Sequence, residues 1–354
     1  MEIQIPRALI PSVLVIRRRY LGDIVLLGPV LRSLREHWPE APLRVLALPE
    51  YAEVLALNPD VTETLIVPRL LSAWPGFLAR LRRLRFTHVF NFDNTEGTAA
   101  LARWTAAPFR LGLHHGGYPL KWRRAYTHAV DDPKDEHEAR SITAYFLKAL
   151  APAGVPATTG TARLVPRDTD VAWVKRFVGA AGPVLLVHPG SRSAWRVWPA
   201  ERFAALCDRA QEELGAQVVL AGGPADREIL AAIRSQAKTH LFAWDRPLSV
   251  PRFAALARVS SVLFCHDSGP MHIAAAVGTP VVALYGSQNA ALFRPSGEGH
   301  LVVQPTIPCG SACLAPGTCA PTDSYRSLCV RRITVNEAFA ALSAQWKRAT
   351  AGNA

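Results

Sequence analysis

One stretch of the chain decides the fold: Phe264-Cys265-His266-Asp267-Ser268-Gly269-Pro270-Met271-His272-Ile273-Ala274-Ala275-Ala276-Val277-Gly278-Thr279-Pro280-Val281-Val282-Ala283-Leu284-Tyr285-Gly286-Ser287. It begins at the end of an apolar run. Asp267 and Ser268 can cap a helix, and Pro270 suits its first turn, where no N–H is needed. Gly278 can end that helix in the left-handed conformation, and the apolar residues after Pro280 are typical of a strand covered on both faces. The stretch predicts strand, helix and strand.

The corner between the first strand and the helix is the best candidate for a ligand site. A helix that starts at the carboxyl end of a parallel strand presents free N–H groups and the positive end of its dipole, so anions bind there. A plain helix cap remains an alternative for Asp267. For His272, the alternative is a buried helix residue that faces the neighbouring strand.

Two further loops follow predicted strands in the second half of the chain, one after Val187 and one after Ala221. With the corner at Asp267 they offer amides, hydroxyls and two arginines, which are the groups that a nucleotide diphosphate needs. Glycine turns at strand ends are common, so a single loop is not specific. The three loops occurring in this order along the chain are a more specific signal. The candidate ligand-binding residues are His188, Gly190, Ser191, Arg192, Arg196, Gly222, Gly223, Asp267, Ser268, Gly269 and His272.

Strands alternate with helices in both halves, which predicts an α/β protein with two Rossmann-like doubly wound domains facing a central cleft. The first half opens with a strand at 12–16, a glycine turn and a single helix from Ile24 to His37. Proline and glycine cluster between Ala151 and Pro166, which indicates a linker. We place the domains at 1–165 and 166–334, and residues 335–354 form a helix that could pack back on the N-terminal domain.

Charge is unevenly spread over the 354 residues. The net charge is +12, and the segment from Leu65 to Ala125 has eight more basic than acidic residues. Such a face attracts a polyanion, an acidic membrane surface or an anionic acceptor, although it could also be an ordinary solvated surface. A basic helix predicted from Leu70 to Phe86 could lie in a membrane interface or cross over the sheet.

No apolar run approaches the roughly 20 residues that span a bilayer, and the start of the chain lacks a signal-like apolar core. We therefore expect a cytoplasmic protein. In that setting cysteines are more often thiols or metal ligands than disulfides. Four of them, Cys309, Cys313, Cys319 and Cys329, could bind zinc or simply pack a loop as reduced thiols.

Several of these motifs together resemble glycosyltransferase family 9, the lipopolysaccharide heptosyltransferase family. They are Gly22-Asp23-Ile24-Val25 with Pro29-Val30-Leu31, then His188-Pro189-Gly190-Ser191, Trp198-Pro199, Ala221-Gly222-Gly223-Pro224, Asp267-Ser268-Gly269-Pro270-Met271-His272-Ile273-Ala274-Ala275 and Thr279-Pro280-Val281-Val282-Ala283-Leu284-Tyr285-Gly286. The resemblance covers Val13 to about Phe339. Ser268 stands where the family usually has threonine.

The resemblance implies a GT-B fold and an inverting transfer of heptose from ADP-heptose to the inner core of lipopolysaccharide, without metal or other cofactor. It implies that Asp23 is the general base and that Arg196, where the family often has lysine, holds the diphosphate. Asp267, Ser268, Gly269 and His272 would line the donor. We assign Arg17, Arg18, Arg19 and Gly22 to the acceptor. The enzyme would act at the inner-membrane surface as a peripheral protein.

Other interpretations stay open at this point. Asp23 could merely cap the helix that follows it. The donor could be another nucleotide sugar, or the chain could bind nucleotide sugars or polyanions without turnover. Nucleic acid is not expected as a partner, because the basic residues lack a recognisable module.

Overall fold

The computed structural model describes residues 10–179, 182–192, 196–244, 248–286, 288–305 and 329–351. The chain divides into two compact units, Met1–Arg163 and Leu164–Ala354. None of the helices in the described part of the chain has the length and apolarity that crossing a membrane requires.

The N-terminal unit is one parallel six-stranded sheet with helices between its strands. The strands are β1 (Val13–Ile16), β2 (Leu43–Ala47), β3 (Glu63–Ile66), β4 (His88–Asn91), β5 (Phe109–His115) and β6 (His128–Asp132), in the order β3-β2-β1-β4-β5-β6. The helices are α1 (Leu21–Leu26), α2 (Gly28–His37), α3 (Ala52–Leu55), α4 (Trp74–Arg83), α5 (Glu96–Trp104), α6 (Lys134–Ala139) and α7 (Ile142–Leu147). All four residues of β1 are buried, as expected of a central strand covered on both faces.

The single helix predicted from Ile24 to His37 is wrong. The structure has two helices that meet at Leu27, which lies at the end of α1 and just before α2. Pro29 has no N–H to donate to the preceding turn, so the first helix cannot continue through it, and proline is instead accommodated in the first turn of a new helix.

Helix α4 packs against the sheet as a crossover helix. Leu81 is fully buried, and Trp74, Phe77 and Leu78 lie partly buried against the apolar core of this unit. Its apolar stripe is thus used for packing, and the expected helix from Leu70 to Phe86 is shorter. Leu71, just before α4, remains 86% exposed.

The C-terminal unit repeats the plan with a second parallel sheet. Its strands are β7 (Val184–His188), β8 (Gln217–Leu220), β9 (Phe242–Ala243), β10 (Val262–His266), β11 (Val281–Leu284) and β12 (Leu301–Val303), in the order β12-β11-β10-β7-β8-β9. Its helices are α8 (Asp168–Val178), α9 (Ala200–Leu214), α10 (Arg227–Gln236), α11 (Val250–Val259), α12 (Gly269–Ala276), α13 (Ala290–Phe293) and α14 (Val335–Thr350).

The stretch that opened the sequence analysis forms β10, α12 and β11 as predicted. Pro270 lies in the first turn of α12, and Gly278 ends the turn after it with φ +87°. Both strands are completely buried. The corner between β10 and α12 therefore lies at the carboxyl edge of a parallel sheet.

Helix α14 packs within the C-terminal unit, against α9 and strands β10 to β12. Phe339, Leu342 and Trp346 join the same apolar core as Phe203 and Phe264. Its apolar face thus completes the core of its own unit. That residues 335–354 could also pack back on the N-terminal domain stays a prediction.

Candidate active site

The winding of the N-terminal sheet reverses between β1 and β4, which are hydrogen-bonded neighbours although β2 and β3 separate them in sequence. In open parallel sheets, ligands bind beside the carboxyl ends of the strands that flank such a switch point. The loops that leave this point hold residues 17–20 after β1 and 92–95 after β4. Asp23 follows the first loop, in the first turn of α1.

Both carboxylate oxygens of Asp23 have a partner. Oδ1 lies 2.9 Å from Arg17 Nη2, and Oδ2 accepts the Tyr20 N–H at 3.1 Å. The second contact caps the N-terminal end of α1, which is the alternative role that the sequence analysis gave for Asp23. Each carboxylate oxygen can accept a second hydrogen bond, and the side chain is 17% exposed. Room therefore remains for a substrate hydroxyl.

A second carboxylate, Asp93, lies at the same switch point and is only 6% exposed. Its Oδ1 is 3.4 Å from Arg17 Nη1, and its Oδ2 accepts from the Arg18 N–H at 3.0 Å and from Arg18 Nε at 2.9 Å. Arg18 also donates to Thr95 Oγ1. The side chains of Arg17 and Arg18, predicted to bind the acceptor, are thus engaged inside this unit.

Arg19 and Gly22 are placed differently from these two arginines. Arg19 is exposed, with its guanidinium 5.2 Å from the centre of the Tyr20 ring. Gly22 lies in the first turn of α1, one residue before Asp23. Of the three arginines in the loop, Arg19 is exposed, whereas the side chains of Arg17 and Arg18 are 17% and 25% exposed.

The C-terminal sheet has its switch point between β7 and β10. His188 ends β7, and Gly190 follows it as a buried residue. A Cβ at Gly190 would lie 2.1 Å from Asp226 Oδ1, so no side chain fits there while Asp226 holds this position. Asp226 also accepts the Gly223 N–H at 2.7 Å and lies 3.8 Å from His188 Nε2.

Asp226 therefore supplies a negative charge at the loop predicted to bind an anion. A Cβ at Gly222 would likewise meet the Asp226 side chain, at 2.7 Å. Gly222 and Gly223 thus pack around the carboxylate of their own chain. Burial lowers the pKa of His188, and the charge of Asp226 opposes this effect.

Two groups anchor the loop that leads to α9. Trp198 is fully buried and donates its indole N–H to the Ile333 carbonyl at 2.9 Å. Its backbone N–H donates to His266 Nε2 at 2.8 Å. Burial lowers the pKa of His266 to about 3, so the ring is neutral and Nε2 acts as an acceptor.

The N-terminal end of α12 brings together the most specific residues of the sequence motif. Asp267 Oδ2 lies 3.6 Å from Arg196 Nη1, and both side chains are partly exposed. Ser268 is the N-cap residue, Gly269 begins the helix, and His272 is buried one turn further on. Arg196 thus lies at the positive end of the α12 dipole, a combination that binds phosphates.

The remaining candidate residues are Ser191, Arg192 and the four cysteines. Ser191 is partly buried and Arg192 is exposed, both just after Gly190. Cys309, Cys313 and Cys319 lie outside the described residues. Cys329 is a buried free thiol.

A model of glycosyltransferase family 9 (heptosyltransferase) matches residues 76–315, which is more than half of the chain. The chain belongs to glycosyltransferase family 9. It is 25% identical over 292 residues to lipopolysaccharide heptosyltransferase 3 of Escherichia coli, a match that covers 78% of this chain and 84% of the relative. The prediction of a glycosyltransferase is thereby confirmed.

Solved structures show the same fold. A glycosyltransferase family 9 protein of Veillonella parvula superposes with a TM-score of 0.79 at 22% identity, covering 96% of this chain and 97% of the other. The ADP-heptose lipopolysaccharide heptosyltransferase II of Escherichia coli superposes with a TM-score of 0.75 at 19% identity, covering 95% and 99%. The predicted GT-B class, with two Rossmann-like domains, is confirmed.

Two acidic residues at the switch points, Asp93 and Asp226, are not among the candidates that the sequence predicts. Asp93 comes two residues after β4, and Asp226 comes six residues after β8. Acidic residues at the carboxyl ends of parallel strands are a usable signal for a site. Their partners Arg17, Arg18 and Gly190 are distant in sequence, so only the sheet order reveals the contacts.

Proposed function

We propose that this family 9 chain transfers a heptose from ADP-heptose to the inner core of lipopolysaccharide, with inversion and without a metal ion. The observation that carries the proposal is a partly exposed carboxylate, Asp23, at the switch point of the N-terminal sheet in a chain of this family. Relatives named as lipopolysaccharide heptosyltransferases, one of them named as an ADP-heptose lipopolysaccharide heptosyltransferase, support the choice of sugar.

The chemistry fits one carboxylate base. Asp23 takes the proton of the acceptor hydroxyl, whose oxygen forms a bond to the anomeric carbon of the heptose. The bond from that carbon to the diphosphate oxygen breaks on the opposite face, and the electron pair leaves with ADP. A preorganised cation and N–H donors must offset the charge that develops on the leaving oxygen.

The groups proposed for the leaving diphosphate are Arg196 and the first turn of α12. Arg196 is an arginine where the family often has lysine, and its planar fork can bind two phosphate oxygens at once. Asp267 lies beside it and holds the guanidinium. Ser268, Gly269 and His272 would line the nucleotide, with His188 and Gly190 at the neighbouring strand end.

Purified protein, ADP-heptose and a Kdo-bearing acceptor test the proposal directly. We expect ADP release coupled to glycan extension, unchanged by EDTA. Asp23→Asn should lower kcat at least about 100-fold while ADP affinity stays the same. Asn keeps the cap to Tyr20, so folding is preserved. An Asp23→Asn enzyme as active as the unchanged protein would remove Asp23 from the mechanism.

The donor base is tested separately, because another nucleotide sugar is the main alternative. A ligand that binds the folded state raises the unfolding temperature, so ADP, UDP and GDP can be compared by thermal shift. We expect ADP to give the largest shift. A larger shift with UDP or GDP would replace the ADP-heptose donor in the proposal.

We also propose that the basic side of the N-terminal unit meets an anionic membrane surface or acceptor at the cytoplasmic face of the inner membrane. Neither Thr64 to Phe92 nor Gly97 to Val130 contains an acidic residue. Between the ends of α4 and α5 lies a pocket of about 820 Å³ lined by Arg82, Arg83 and Arg85. The charge of this face supports binding to anionic headgroups.

Sedimentation with vesicles tests this localisation. Vesicles with 30% anionic lipid should bind the protein, and Arg83→Glu/Arg85→Glu should weaken binding at least about tenfold. Arg176→Glu/Arg234→Glu in the C-terminal unit is the control, because it changes the net charge by the same amount. Equal loss in both variants would mean that total charge, and not this face, drives binding.

A further inference from the structure

Arg17 is shared between two carboxylates at the switch point of the N-terminal sheet. One terminal nitrogen, Nη2, lies 2.9 Å from Asp23 Oδ1, and the other, Nη1, lies 3.4 Å from Asp93 Oδ1. Nη1 also donates to the Phe92 carbonyl at 2.7 Å. The guanidinium is therefore fixed in one orientation by three oxygens, and only 17% of the side chain is exposed.

Asp93 is the better held of the two carboxylates. It is 6% exposed, and it accepts both the backbone N–H and Nε of Arg18. Its own N–H donates to Asn91 Oδ1, whose amide in turn donates to the Tyr126 hydroxyl. Asp93 is thus part of a connected network rooted in β4, whereas Asp23 lies at the more open end of the pair.

We propose that Asp93 is a positioning residue that holds Arg17, thereby fixes the orientation of Asp23, and balances the positive charge beside it. This inference rests on the proposed role of Asp23 as the base. Asp93 does not touch the substrate. It acts by fixing the guanidinium on which Asp23 Oδ1 rests and by sharing its positive charge.

The physical reason lies in what happens when Asp23 takes the proton. An arginine paired with a single carboxylate stabilises the charged form of that carboxylate and makes it a poor base. In this protein Arg17 is still paired with the charged Asp93 carboxylate after Asp23 has become neutral. Proton uptake by Asp23 therefore leaves no guanidinium without a counter-charge in a partly buried site.

The other charged and titratable groups lie in the preceding loop and on the helices that contact α1. They are Arg18, Arg19 and Tyr20 in the loop, Arg32, Arg35, Glu36 and His37 on α2, Glu53 on α3, and Tyr145 on α7. Among the described residues, Arg17 is the cation within ion-pair distance of Asp23. We therefore expect the pH dependence of kcat/KM to be more sensitive to Arg17 and Asp93 than to these other groups.

The test compares the acid limb of the pH profile of kcat/KM, which reports the base of the free enzyme. Asp93→Asn removes the negative charge that repels Asp23 and should move the acid limb down by about one pH unit. Arg17→Gln removes the positive charge and should move it up by about one unit. In Asp93→Asn, kcat should also fall at least about tenfold, because the guanidinium loses its fixed orientation.

Glu63→Gln is the matched control. Glu63 is also a carboxylate shared by two arginines, Arg44 at 2.7 Å and Arg80, but it lies at the start of β3, an edge strand. Its removal should leave the acid limb in place. A purely structural role would lower activity in all variants without opposite shifts, and thermal unfolding of each variant shows whether the fold is kept.

Opposite shifts in Asp93→Asn and Arg17→Gln support the proposal. Absent shifts, or shifts in the same direction, overturn it. Should Asp93→Asn not fold, Arg17→Gln decides alone, and an acid limb that does not rise contradicts the inference. Activity that survives Asp23→Asn would instead remove the proposed base, so the two failures can be told apart.

Discussion

Replacing Gly190 with alanine tests the packing of the C-terminal site. The added Cβ would lie 2.1 Å from Asp226 Oδ1, 2.4 Å from Cγ and 2.5 Å from Oδ2. Ordinary van der Waals contact begins at 3.4 Å, well beyond all three distances, so the carboxylate must move. Moving it breaks the hydrogen bond from the Gly223 N–H, which is 2.7 Å long.

The free energy of unfolding should fall by about 2.5 to 6 kcal/mol, which is the sum of two terms. A hydrogen bond to a charged acceptor contributes about 1.5 to 3 kcal/mol, and forcing an extra methyl group into a packed site costs about 1 to 3 kcal/mol. With Asp226→Ala already present, the same methyl group meets no carboxylate. The cost of Gly190→Ala should then fall below about 1 kcal/mol, which gives an interaction energy of at least 1 kcal/mol.

Urea unfolding of the full chain measures all four members of this cycle. Gly76→Ala is the control, because it lies inside α4 with nothing within 4 Å of the added Cβ. It should stabilise the protein by up to about 1 kcal/mol, since alanine is a better helix former. If Gly190→Ala cost the same with and without Asp226, the steric argument would be refuted.

Two further predictions concern stability. Burial lowers the pKa of His266 to about 3, so below about pH 6.5 the unfolded chain binds a proton that the folded chain does not. The free energy of unfolding should therefore decrease from pH 6.5 towards pH 3 by up to about 1.4 kcal/mol per pH unit. Urea unfolding at each pH checks this, and a flat profile would contradict it. In the capping box of α14, Thr334 Oγ1 accepts the Glu337 N–H, and Glu337 Oε2 accepts the Thr334 N–H. Thr334→Ala should lower the free energy of unfolding, measured in urea, by about 1 kcal/mol, and Thr334→Ser should lower it less. Equal losses in the two variants would contradict a capping role.

Elements with a clear pattern could be predicted from the sequence. The strand predicted after Pro280 is observed as Val281–Leu284, and the helix predicted in 335–354 is observed as Val335–Thr350. The corner at Asp267 was found because its cap, proline and glycine all indicate the same helix. In these stretches local preferences and tertiary packing agree.

Other strands could not be predicted from the sequence. Strands β5 and β6 lie in a segment rich in histidine, arginine and glycine, whose polar residues hide the strand pattern. They form because β4 offers a free edge, which is a tertiary effect. The sequence indicates Asp23 as a candidate base, which stays a prediction. Asp93, which shares Arg17 with it, is 70 residues away, and no local rule connects the two.

The use of α14 in the core of the C-terminal unit has a consequence for folding during synthesis. Strands β1 to β6 are complete by Asp132, so the N-terminal unit can form while the ribosome is still translating the rest. The second unit must wait for Phe339, Leu342 and Trp346, which pack beside Phe203 and Phe264. The side of β10 to β12 that α14 covers therefore stays exposed until this helix emerges, the interval in which a chaperone would be most useful.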